Sequence, residues 1–272
     1  MTQNITTTDP IYRIDGPRKK FDRTPPEVIA RAQVEKAKNQ FKPSFRKCTD
    51  EYYIQYHHGR TVELMKQYQN RFLCGLMAAV SEWVLWRIAA ACRDRVDFER
   101  AFQKVDALYA GAVFPEYLND NMKDVAIGHF SKRFKDEAMS DKERDCIEAL
   151  DMLLLCWSYN YPRYEEEDRV YGTWKKSGDP FMSLSPDYVI ILAGAILSGN
   201  AKTQFNIWFK DVLARAEPEY LEKAEQKSRL IPREFFWKQS CPKDDRSLER
   251  LCHSCIDSFD PDNPYVSILH ER

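Results

Sequence analysis

The sequence predicts an all-α protein, a single globular bundle of about nine or ten helices around a buried central helix at about residues 60–93. Three observations carry this reading. Apolar residues recur at three- and four-residue steps through most of the 272 residues, and no run alternates with a period of two. Glycine is scarce, with nine residues, about 3% against an average of about 7%. The 43% hydrophobic and 31% charged content is that of a globular chain able to build a large core. No period of about 20 to 50 residues supports a solenoid.

Along the chain, residues 1–23 lack periodicity and read as a flexible basic N-terminal arm, leaving residues 24–272 as one helical domain. Thr24-Pro25-Pro26-Glu27 combines a capping residue, early-turn prolines and a Glu three positions on, so a helix is expected over about 25–40. A run at 51–58 precedes the long helix of about 60–93. There Phe72, Leu76, Ala79, Trp83, Trp86 and Ala90 form one apolar face, and Leu73, Met77, Val80, Val84 and Ile88 form a second. A helix apolar nearly all round is surrounded by others. Amphipathic helices follow at 97–111, 121–138 and 141–159, the last opened by the capping box Ser140-Asp141-Lys142-Glu143. Residues 160–185 break the rhythm with Pro162, Gly172, Gly178 and Pro180. Ser185-Pro186-Asp187 opens a helix that Gly199-Asn200 stops, and further helices are expected at 201–216, 218–228 and about 245–259.

Several chemistries lack their signatures. The sequence holds no GxGxxG, GxxxxGK[ST], GxSxG or HExxH, and His57-His58 has no third ligand at helical spacing. No cofactor is expected. The N-terminus has no apolar stretch of signal-peptide type, so a cytoplasmic location is expected. Residues 72–92 have membrane length, but Glu82 and Arg87 would each cost about 2.5 to 3.5 kcal/mol near a bilayer centre, so the segment reads as a buried helix with no membrane partner. The eight cysteines are expected reduced, with Cys74, Cys92, Cys146 and Cys156 in apolar helical runs. Cys252 and Cys255 have CxxC spacing, which Cys241 and His270 would extend to four ligands. Leu248, Leu251, Cys252, Cys255 and Phe259 share one helical face, however, so packing accounts for both thiols and no metal is expected.

Charge sums to −1, which gives no global attraction to nucleic acid, yet it is unevenly placed. Residues 1–50 carry eleven basic and six acidic side chains, and residues 101–200 carry eleven and seventeen. The sharpest feature is Glu165, Glu166, Glu167 and Asp168 beside Tyr161, Tyr164, Tyr171 and Trp174. Acidic charge steers a cationic partner and aromatic side chains supply binding energy, so these eight residues are the expected partner-binding site. A solvated loop or a helix N-terminus would account for the acidic run equally. Glu82 and Arg87 lie five apart in the apolar helix, on different faces, so each needs a partner from elsewhere. A buried Glu82 beside Trp83 fits a general acid with a raised pKa, and it also fits a structural ion pair with an Arg or Lys of a neighbouring helix.

Three short motifs remain: Glu82-Trp83-Val84-Leu85-Trp86-Arg87, Ile231-Pro232-Arg233-Glu234 and Asp260-Pro261-Asp262-Asn263-Pro264-Tyr265. The second reads as a clasp between helix and loop, and the third as turn chemistry. Together they resemble the all-helical bacterial immunity proteins of polymorphic or type VI secreted toxins, over about residues 45–268. The resemblance implies a non-enzymatic cytoplasmic inhibitor that binds one cognate antibacterial toxin and occludes its active site. It transfers no contact residues. The alternatives are a helical enzyme with a buried carboxylate near Glu82, and a helical adaptor using the basic arm.

Overall fold

The computed structural model describes residues 23–34, 61, 63–92, 98–114, 117, 141–160, 186–221, 223, 229–238 and 240–266. About 75% of them are helical and none forms a strand, so the protein is all-α. The helices are α1 (Glu27–Arg31), α2 (Asn70–Cys92), α3 (Phe98–Val113), α4 (Asp141–Asn160), α5 (Asp187–Ile196), α6 (Gly199–Tyr220), α7 (Glu234–Trp237) and α8 (Asp245–Asp257). The helices expected over 51–58 and 121–138 lie outside the described residues, as do the arm residues 1–22 and the irregular stretch 161–185.

Helix α2 is the centre of the bundle. Every residue from Phe72 to Ala89 is buried, because α3 packs along one side while α4 and α5 cover others. Of the described helices it alone has the length and apolarity to cross a membrane, and the most apolar 18 residues of its candidate span, Asn70–Ala90, are all buried, which is the condition of a core helix. Its two arginines cap its neighbours. Arg71 Nη1 donates to the carbonyl of Val113, the last residue of α3, at 2.8 Å, and Arg87 Nε donates to that of Ile196, the last residue of α5, at 3.3 Å. The final carbonyls of a helix lack intrahelical donors and sit at the negative end of its dipole, so a cation there is favoured.

Residues 61 and 63–65 are helical as expected, but the long helix expected from residue 60 is broken at 66–69 and resumes as α2 at Asn70. Tyr68 forms an isolated antiparallel bridge with Leu221, and the Gln69 N–H donates to the Tyr220 carbonyl at 2.8 Å while its side chain donates to the Leu221 carbonyl at 3.0 Å. Pairing with the end of α6 interrupts a stretch whose own sequence holds neither glycine nor proline. The first helix is likewise short: Pro26 is its N-cap, and it ends at Arg31 ahead of Gln33, whose positive φ of 55° turns the chain so that Ala32 and Val34 are both buried. Conversely, α6 runs straight through Pro218, which was expected to divide two helices. Proline removes the N–H that would reach Ala214, and Ala214 is exposed, so water can serve its carbonyl. Gly199, with φ of 55°, begins α6 immediately after Leu197 and Ser198 close α5, so the expected stop is also a start.

Helix α7 is a four-residue aromatic wedge between α2 and α6. Phe72 of α2 meets Phe235 and Phe236 at 6.3 and 6.0 Å between ring centres, and Trp208 of α6 stacks on Trp237 at 5.3 Å. Trp208 Nε1 also donates to the Phe236 carbonyl at 2.8 Å. The wedge reaches α2 at Gly75, where a Cβ would lie 2.8 Å from the Phe236 ring. Gly75→Ala is therefore expected to destabilise by about 1–3 kcal/mol in urea unfolding through overpacking. Gly194→Ala, in α5 with nothing within 4 Å of the added methyl, should instead stabilise by about 0.5–1 kcal/mol.

Candidate functional site

Glu82, Tyr109 and Arg233, all with shifted ionisation, gather where α2, α3 and α7 meet. Glu82 occupies an inward position of α2, and its side chain is 2% exposed. Arg233, immediately before α7, approaches it as a fork, with Nε donating to Oε1 at 3.0 Å and Nη2 to Oε2 at 2.9 Å. The guanidinium lies 5.5 Å from the centre of the Tyr109 ring on α3, and the Tyr109 hydroxyl accepts from Trp237 Nε1 at 3.1 Å. Both carboxylate oxygens are thus engaged. Burial pushes the Glu82 carboxyl above its ordinary value, against the opposing pull of Arg233, and burial likewise raises Tyr109, with the negative charge of Glu82 adding to it. Burial opposes the charged form of Arg233 too, but Glu82, Tyr109 and Asp106 outweigh it and hold the guanidinium charged.

A second pair stands on α3. Asp106, buried and raised by desolvation, accepts from Arg23 Nη2 at 2.6 Å, and Glu99 Oε1 accepts from Arg23 Nε and Nη2 at 2.9 and 2.8 Å. Arg23 closes the stretch read as an arm, and it is anchored to the bundle. Further along α3, Gln103 donates through Nε2 to Asp260 Oδ2 at 2.6 Å, and its carbonyl accepts from Asn263 Nδ2 at 2.8 Å. Lys104, wholly buried, places its ammonium 4.8 Å from the Tyr265 ring centre. The turn at 260–265 is held on α3 by these contacts and by internal ones, Asp262 N–H to Asp260 Oδ1 at 2.9 Å and Tyr265 N–H to Asn263 Oδ1 at 3.0 Å.

Helix α3 thus unites segments that are far apart in sequence. The pattern Phe98, Phe102, Val105 and Leu108 marks its apolar stripe, yet every residue from Ala101 to Val113 is buried, including Gln103, Lys104 and Asp106. These three were missed because adjacent polar residues on an amphipathic helix read as a solvent face. Of the two charges noted within the central helix, Glu82 finds Arg233 and Arg87 finds the end of α5.

The expected partner-binding residues Tyr161, Tyr164, Glu165, Glu166, Glu167, Asp168, Tyr171 and Trp174 lie outside the described residues, as does His270. Cys252 is buried and Cys255 partly so, and burial pushes both thiols up to about 12, which disfavours the thiolate that metals bind. Among the described residues no cluster of three or more His, Cys, Asp or Glu could hold a metal ion. No family model, curated protein or solved structure matches this chain.

The pairing is unequal, because Arg233 is 33% exposed and Glu82 only 2%. Arg233→Met strands a buried carboxylate and should cost about 3–5 kcal/mol, whereas Glu82→Gln leaves a cation that water reaches and should cost about 1–3 kcal/mol. The pH dependence has a definite sign. Without Arg233, burial holds the folded Glu82 carboxyl above its unfolded value of about 4.3, so the folded state binds the proton more tightly. Stability of Arg233→Met is then greatest below that value and falls as pH rises toward the folded one, more steeply than in the wild type. Chemical denaturation at a series of pH values measures both effects.

Proposed function

We propose that this protein is a non-enzymatic immunity protein. It binds a cognate antibacterial toxin in the cytoplasm and occludes the toxin's active site, meeting a basic toxin surface with Glu165, Glu166, Glu167 and Asp168 and with Tyr161, Tyr164, Tyr171 and Trp174. A toxin that acts on nucleic acid presents such a surface because it must neutralise phosphates.

The observation that carries this reading is the closure of Glu82. The carboxylate on which an enzymatic reading depends has Arg233 on both oxygens and 2% of its side chain exposed. That arrangement suits a group that holds the fold together, and a general acid must reach its substrate. A second support is the convergence of the three motifs that resemble immunity proteins. Glu82 and Arg233 meet at Tyr109, and the turn at 260–265 is held by Gln103 and Lys104 two turns away on the same helix. Motifs that build one scaffold leave partner choice to other segments, and the acidic-aromatic segment combines charge that steers a cationic partner with the aromatic residues that interfaces favour.

Expression with the product of the adjacent reading frame tests the proposal. The wild type is expected to relieve that product's toxicity and to bind it. Replacing Glu165, Glu166, Glu167 and Asp168 together by Lys should weaken binding at least tenfold, about 1.4 kcal/mol or more, and slow association. Glu82→Gln should lower stability while leaving the affinity of the folded protein unchanged. Equal affinity and association rate in the quadruple variant would take the segment out of the interface.

A further inference from the structure

We draw no further inference here: the strongest candidate, the cavity of about 240 Å³ between the C-terminal half of α6 and α8, has its arginines already paired, Arg215 with Asp211 and Arg229 with Glu219, and nothing in its lining shows what would occupy it.

Discussion

A carboxylate fixed in the middle of a helix that is buried on every side has no water to turn to, so its counter-charge must be delivered by the fold. In this protein that carboxylate is Glu82, and Arg233 delivers the charge from a segment about 150 positions later in the chain. Much of the architecture follows from that requirement. Arg233 immediately precedes α7, so placing its guanidinium on Glu82 also sets Phe235, Phe236 and Trp237 against α2 and α6. Each ring pair adds about 0.5–1.5 kcal/mol beyond burial. Aromatic surfaces tolerate sliding, however, and two hydrogen bonds of fixed geometry do not. The fork between Arg233 and Glu82 sets the register in which the wedge is driven home.

The central helix handles its cations differently. Arg71 and Arg87 each donate to the last carbonyl of a neighbouring helix, at the negative end of its dipole. One set of contacts thereby solves two problems, the unpaired carbonyls that every helix leaves at its C-terminus and the burial of an arginine. Helix α3 applies the same economy to neutral groups. Gln103 spends its amide on Asp260 and its main-chain carbonyl on Asn263, so the chain after α8 is fastened by hydrogen bonds that few other segments could supply.

The features legible in the sequence were those that local pattern determines. The double apolar face of residues 72–90 predicts a helix enclosed by others, and α2 is one. The apolar face of residues 248–259 places the last helix correctly, and Asp244 accepts from the Ser247 N–H at its N-cap. The illegible features depend on a distant segment. Nothing in residues 66–69 announces that Leu221 will pair with Tyr68 there, and Pro218 breaks no helix because the carbonyl it deprives faces water. The site divides along the same line. That Glu82 needs a basic partner follows from its apolar surroundings. That the partner is Arg233, and that Tyr109 joins them, depends on α3, whose polar residues had the spacing of a solvent face.

Buried ionic and polar groups are an inefficient route to stability, since well-packed apolar residues of the same volume often serve as well or better. Their value lies in discrimination. In a bundle this rich in Trp, Phe and Tyr, hydrophobic burial alone would accept several placements of α7 and of the turn at 260–265, because most faces are greasy enough to receive them. A wrong placement of α7 would leave Glu82 buried without its fork from Arg233, at a cost larger than the loss of any single aromatic contact. The charged residues of α2 and α3 act in this way as addresses. Arg233 is admitted at Glu82 and Arg23 at Asp106 and Glu99, while the turn at 260–265 is fastened through Gln103, and an otherwise permissive apolar core is left with one arrangement.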